Sequence, residues 1–240
     1  MRRCLVVTFA GVLIILGMPS CILGFQQLRG SGHVTSVDLS QQGFTGVHLG
    51  YGSHSHITYA PDYSVVVRID DNLAQYLDVE RNGAELSISL KPHFSYRGIT
   101  FEVDIAMPDL ERLRLSGGSK CALSGFSLDH DVDLGLSGGS ELDGSVTAQR
   151  VSFSLSGGSG VELMGQGTSS RLDGSGGSHF DLGDFETQDV MVSLSGGSNA
   201  TIRVSDELSG SLSGGSQVRY IGNPTLGKIS KSGGADVRPK

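Results

Sequence analysis

The second half of the chain alternates apolar and polar positions in register with a short phrase that returns seven times. Ser-Gly-Gly-Ser starts at Ser116, Ser137, Ser156, Ser175, Ser195 and Ser213, and Ser-Gly-Gly-Ala at Ser232, with 18 to 21 residues between starts. One residue before the phrase stand Leu115, Leu136, Leu155, Leu194 and Leu212, with Gly174 and Lys231 as exceptions. Three residues before it stand Leu113, Leu134, Phe153, Leu172, Val192, Gly210 and Ile229. Two residues after it stand Cys121, Leu142, Val161, Phe180, Ala200, Val218 and Val237. A period of two marks a strand with one buried face. Each unit therefore predicts a strand, a Gly-rich corner and a second short strand. So small a unit cannot bury its apolar face alone, but stacked copies form ladders on rungs about 4.8 Å apart. The expected fold is all-β: a β-solenoid, right-handed and parallel β-helix-like, with about seven coils of about 20 residues over positions 111–240.

The corners fall on Gly117-Gly118, Gly138-Gly139, Gly157-Gly158, Gly176-Gly177, Gly196-Gly197, Gly214-Gly215 and Gly233-Gly234. Paired glycines permit positive φ and close backbone approach, and serine can hydrogen-bond to turn backbone. A flexible Gly/Ser linker would not carry phased apolar ladders. A calcium-binding β-roll would need a nine-residue period and an Asp in each repeat, and neither is present.

Residues 33–110 are β-patterned without a clear repeat and predict irregular early coils or a cap. Ser64–Ile69, Glu85–Leu90 and Ile99–Ile105 read as strands, Asn82-Gly83 as a hairpin turn, and Asp71–Tyr76 as a helical turn. Leu49-Gly50-Tyr51-Gly52-Ser53 reads as a degenerate corner.

The extreme N-terminus has the pattern of an export signal over residues 1–20. Arg2 and Arg3 precede an apolar stretch from Cys4 to Met18, too short for a comfortable membrane span. Met18-Pro19-Ser20-Cys21 follows and resembles a bacterial lipobox, departing from it at Met18 and Pro19. Ordinary cleavage competes with lipidation of Cys21, but no good small-x-small site lies nearby. Ile22 after the cysteine resembles an outer-membrane sorting signal, if the host is Gram-negative. Residues 21–32 then read as a lipidated Cys and tether. With Cys21 lipidated, Cys121 has no disulfide partner and reads as a small buried hydrophobe. The net charge of −7 and the lack of a basic stripe argue against nucleic acid.

Motifs along the N-terminal half add a family resemblance. Gly30-Ser31-Gly32-His33-Val34, Gly43-Phe44-Thr45-Gly46-Val47, Tyr63 to Arg68, and Ala106-Met107-Pro108-Asp109-Leu110 lead into the Ser-Gly-Gly-Ser ladder. Their order and spacing resemble the putative auto-transporter adhesin head domain, or GIN domain, of bacterial envelope proteins. The resemblance covers roughly residues 30 to 238. It implies an exported β-solenoid, often a lipoprotein, and no established catalytic residues.

Candidate chemistry is sparse. His54 and His56 alternate on one strand face, with His48 in the same parity, and could place two imidazoles beside a metal ion. A solvated strand face is the plainer reading. Asp129, Asp131 and Asp133 would share a face on a strand and could bind calcium, or simply keep that face polar. Asp173, Asp181 and Asp184 fall in neighbouring coils. There is no phosphate loop or His-Glu-x-x-His, and no cofactor is implied. The expectation is a non-catalytic, lipid-anchored binding or scaffold module of the cell envelope, in the outer membrane or periplasm. Its partners would be the membrane through the anchor and a glycan or envelope protein. The alternatives are a carbohydrate-active β-helix enzyme and a purely structural or stress-related envelope component.

Overall fold

Alternating apolar and polar residues become strand almost everywhere in the computed structural model, which describes residues 26–240. The export signal and Cys21 lie outside the described residues. The N-terminal part runs β1 (Gln26–Arg29), β2 (Val34–Asp38), β3 (Gly46–Leu49), β4 (His54–Tyr59) and β5 (Ser64–Asp70). A 3-10 turn (Asp71–Tyr76) follows, then β6 (Leu77–Asn82), β7 (Glu85–Leu90), β8 (Phe94–Arg97) and β9 (Phe101–Met107). The repeats supply β10 (Arg112–Leu115), β11 (Lys120–Ser127), β12 (Val132–Leu136), β13 (Glu141–Leu155) and β14 (Gly160–Gly174). They end with β15 (His179–Leu194), β16 (Asn199–Leu212), β17 (Gln217–Ile221), β18 (Thr225–Lys231) and β19 (Asp236–Pro239).

From β10 onward each strand pairs in parallel with the equivalent strand of the next repeat. This is a β-solenoid of about six turns. The count is one below the expected seven coils because seven corners bound six intervals.

Each turn has three sides, where a strand, a corner and a second strand were expected. The first side, before the corner, stacks Leu113, Leu134, Phe153, Leu172 and Val192. The second, after the corner, stacks Cys121, Leu142, Val161, Phe180, Ala200 and Val218. The third stacks Phe126, Val146, Gly165 and Phe185. The strands β13 to β16 run nearly from one corner to the next and bend without breaking. Gly144 (φ 129°) and Gly165 (φ 127°) make the bend from the second side to the third. A Cβ on Gly144 would lie 1.9 Å from the Leu123 carbonyl oxygen, so only glycine fits there. Inside, Phe153 meets Phe180 and Phe185 edge-on, each pair with ring centroids 6.4 Å apart. The missing leucine at Gly174 is explained by the same ring packing. A Cβ there would lie 2.7 Å from Phe180 and 2.8 Å from Leu194, whose side chains fill the space.

The corners carry the glycine conformations that their sequence demands. In the first four copies both glycines have positive φ: Gly117 and Gly118, Gly138 and Gly139, Gly157 and Gly158, Gly176 and Gly177. In the last three only the first does so, at Gly196, Gly214 and Gly233. The closing serine of the phrase is buried, and its hydroxyl donates to the carbonyl of the opening serine. This bond recurs from Ser119, Ser140, Ser159, Ser178 and Ser198 at 2.8 Å and from Ser216 at 2.7 Å.

The N-terminal part folds out of chain order. β3 pairs with both β7 and β10, and β4 with both β9 and β11. The coil made by β3 and β4 is thus sandwiched between the coil of β7 and β9 and the first repeat. Its corner is the degenerate phrase: Tyr51 (φ 57°) and Gly52 (φ 69°) take the places of Gly117 and Gly118. Antiparallel strands close the far end, with β6 on β7, β5 on β9, and β2 on β5. The hairpin turn is Gly83-Ala84 rather than Asn82-Gly83, because Asn82 still pairs with Glu85 and positive φ falls on Gly83.

The stretch expected as a tether is part of the body from Gln26 onward. β1 pairs in parallel with β8. Behind it the buried Asp70 carboxylate accepts the N–H groups of Gly32 and Thr100, both at 2.7 Å. Asn72 receives the Ser31 N–H at 3.1 Å and donates to the Arg29 carbonyl at 2.9 Å. These bonds hold a polar Gly/Ser segment that has little apolar surface of its own.

Candidate binding groove

The third side supplies an open groove of about 750 Å³. Ala148, Gly167, Thr187 and Val204 are register partners on four successive rungs and form its floor. The side chains of this row face inward, and a Cβ on Gly167 would lie 3.4 Å from the buried Phe185 ring. One wall is the in-register ladder Thr147, Gln166, Glu186 and Arg203. The other begins one residue beyond the floor, with Gln149, Thr168, Gln188 and Ser205. Amides, hydroxyls, a carboxylate and a guanidinium therefore repeat at rung spacing, about 4.8 Å, with donors and acceptors both represented.

Local bonds hold the walls. Arg203 donates to the Gly183 carbonyl at 2.7 Å and reaches Asp184 at 3.7 Å. Ser170 and Thr187 share a buried hydroxyl contact at 3.3 Å beneath the floor. The unequal repeat lengths are also absorbed near this side. Register shifts fall between Glu162 and Gly165 in the β14–β15 pair, and between Leu182 and Glu186 and between Thr187 and Asp189 in the β15–β16 pair. The 18- to 21-residue spacing was the sequence signal for these shifts, but it does not reveal where within a turn they fall.

Most of the residues singled out from sequence lie elsewhere. His54 and His56 point outward from β4, opposite Glu102 and Asp104 of β9. His56 Nδ1 lies 3.1 Å from Asp104, whose other oxygen is taken by Arg68 at 2.5 Å. Asp129 and Asp131 precede β12 instead of sharing its face with Asp133. Asp131 pairs with Arg150 at 3.1 Å and Asp133 lies 3.9 Å from Arg112. His130 donates to the Asp131 carbonyl at 3.0 Å and sits 2.7 Å from Asp109. The carbonyl first, then the Asp109 carboxylate, raise its pKa above the usual histidine value. No group of three metal-ligating side chains converges among the described residues.

Asp173 pairs with Arg171 on the first side, and Asp184 lies by Arg203 at the groove. Asp181 belongs to a second-side ladder with Glu162 and Asp143. Those three carboxylates are neighbours on successive rungs. They stand on the outer wall of the solenoid and do not line the groove.

The family described as "Putative auto-transporter adhesin, head GIN domain" matches residues 43–224. Among solved structures, a putative adhesin from Bacteroides fragilis superposes with a TM-score of 0.83 at 18% identity, covering 89% of this chain and all of that one. A putative lipid binding protein from Parabacteroides distasonis superposes at 0.73 and 15% identity, covering 90% of this chain and 100% of that one. A putative adhesin from Parabacteroides merdae gives 0.72 at 14% identity, covering 90% and 99% respectively. No curated protein sequence matches this chain.

Proposed function

The chain belongs to the putative auto-transporter adhesin head GIN domain family, and from that premise we propose that it is a non-catalytic envelope module that binds an extended polar ligand, a glycan, along its third side. The observation that carries this reading is the groove itself. Four rungs of Thr, Gln, Glu, Arg and Ser offer repeated hydrogen-bonding groups at fixed spacing along an open trough. A linear sugar polymer presents hydroxyls in series and would meet these groups in series. Polar groups that are left unpaired by a wrong ligand then provide the discrimination.

One relative's name mentions lipid. The side chains here favour a polar ligand, because both walls are built from Thr, Gln, Glu, Arg and Ser. A catalytic reading is weaker. The rung-neighbouring carboxylates stand on an outer wall, where no deep cleft encloses a substrate or excludes water. Among the described residues no helix is long and apolar enough to cross a membrane. Attachment is proposed to come from a lipid on Cys21, which would hold the module at the outer membrane with the solenoid projecting from it.

A glycan array probed with the full chain tests the function. Binding of a subset of acidic or neutral polysaccharides is expected. Gln166→Ala with Gln188→Ala should weaken it about tenfold or more, at a typical net value of 0.5–1.5 kcal/mol per hydrogen bond. Binding that is unaffected by this pair, with the melting temperature unchanged, would place the ligand on another side.

A further inference from the structure

Two exposed arginines stand side by side with no carboxylate paired to either among the described residues. Arg29 of β1 and Arg97 of β8 are register partners on adjacent parallel strands, and both are exposed. Like charges so placed repel. Arg68, Arg112, Arg150, Arg171, Arg203 and Arg238 are paired with carboxylates, while Arg81 donates to backbone carbonyls. Arg29 and Arg97 make no ion pair among the described residues. They share the outward face of the two-stranded sheet with Gln27 and Ser95, which are also register partners. The opposite face turns Tyr96 and Phe94 inward onto Tyr76, with Tyr96 and Phe94 centroids 6.4 and 4.9 Å from Tyr76. Tyr51 meets Tyr96 edge-on at 6.1 Å. The basic face is therefore backed by a rigid aromatic layer and cannot fold away to find a counter-ion.

The position of this face supplies the second half of the argument. Cys21 precedes Gln26 by five residues. Even fully extended, such a segment spans no more than about 18 Å. A lipid on Cys21 would hold β1 and β8 next to the bilayer surface, within reach of headgroup phosphates. Guanidinium groups bind phosphate oxygens in a two-pronged fashion, and two of them in register can share one anion or hold two neighbours.

We infer that the outward face of the β1–β8 sheet rests on the membrane, with Arg29 and Arg97 binding the phosphates of anionic lipids. This rests on the proposed lipid anchor at Cys21. The contact gives the anchored module a fixed orientation. The capped end of the solenoid lies toward the bilayer, and the turns carrying the groove extend away from it.

The chain contains no tryptophan, so one introduced tryptophan reports its own surroundings without background. The full lipidated chain with Gln27→Trp would be reconstituted in vesicles of phosphatidylcholine with phosphatidylglycerol, some carrying brominated acyl chains. A Gln217→Trp chain serves as the distant control. Quenching of the tryptophan at position 27 and none at position 217 is expected. Adding Arg29→Glu and Arg97→Glu should cut that quenching more than about fivefold, since one basic residue near an anionic surface is worth about that factor. High salt should act in the same direction on the otherwise unaltered chain. Both glutamates replace exposed side chains, and an unchanged melting temperature shows that the fold survives. A chain that sediments with vesicles yet shows equal, weak quenching at both positions would overturn the docked orientation and leave the anchor standing. A chain that fails to sediment with membranes would remove the anchor and this inference together.

Discussion

Ser53 and Ser159 occupy the same place in two corners and differ in one hydrogen bond. Ser159 is buried and donates to the Ser156 carbonyl at 2.8 Å. Ser53 is equally buried in the degenerate corner, but its hydroxyl has no partner. A buried hydrogen bond contributes about 1 kcal/mol net, while an unsatisfied buried hydroxyl costs about 1–3 kcal/mol in desolvation. Ser159→Ala is therefore expected to destabilise by about 1 kcal/mol. Ser53→Ala should be neutral or stabilising. Denaturant unfolding of the two variants decides the matter, and equal losses would mean that Ser53 does have a partner in solution. The seventh copy already carries the alternative, with Ala235 at the closing position.

Corners and bends set the shape of each turn. Gly157 has φ 66°, and a Cβ on it would lie 3.1 Å from the Gly138 nitrogen of the previous corner. Gly160, three residues on, has no positive φ and open space around its would-be Cβ. Gly157→Val should cost about 1 kcal/mol or more through left-handed strain alone. Gly160→Ala should stay within about 0.5 kcal/mol. Because each rung is hydrogen-bonded to the rungs on either side, the Gly157→Val distortion should spread. Amide exchange is expected to rise around Leu136 and Gly174 as well as at the altered corner. A rise confined to the corner would mean that neighbouring turns are uncoupled. At the last turn, β18 and β19 carry Lys228, Lys231, Arg238 and Pro239, residue types that discourage strand addition at an edge.

At the scale of the whole molecule, stability is a sum of turn-on-turn contacts, and Cys121 reports on it. The thiol is buried on the second side, and burial above all pushes its pKa up to about 12. It is the free cysteine among the described residues. The thiolate is the reactive form, so native Cys121 should resist alkylation at pH 8. Labelling should follow the opening of the solenoid and accelerate with denaturant. Rapid labelling of the native protein would show that the second side opens locally near β11.

The ladders of the first two sides, the glycine corners and the inward place of Cys121 were legible along the chain. They depend on alternation between residues i and i+2 and on φ values that only glycine adopts at no cost, and both are written locally. Leu155 is buried and Ser154 exposed, as their alternation requires. The third side was not legible. Its inward residues Phe126, Val146 and Phe185 keep no constant distance from the phrase, because bulges near Gly125 and Asp184 change the count. Gly144 and Gly165 look like any other glycine until the Leu123 and Val146 carbonyls of the preceding rung are seen to fill the space where a Cβ would stand. The sandwiching of β3 and β4 between later strands, and the pairing of β1 with β8, are matters of which distant rungs meet. The Arg29–Arg97 pair joins residues 68 positions apart. Local alternation determines that a segment is a strand and which face it buries. Which strand lies beside it, and so which groove and which charged face result, is decided by contacts that exist only once the chain has coiled on itself.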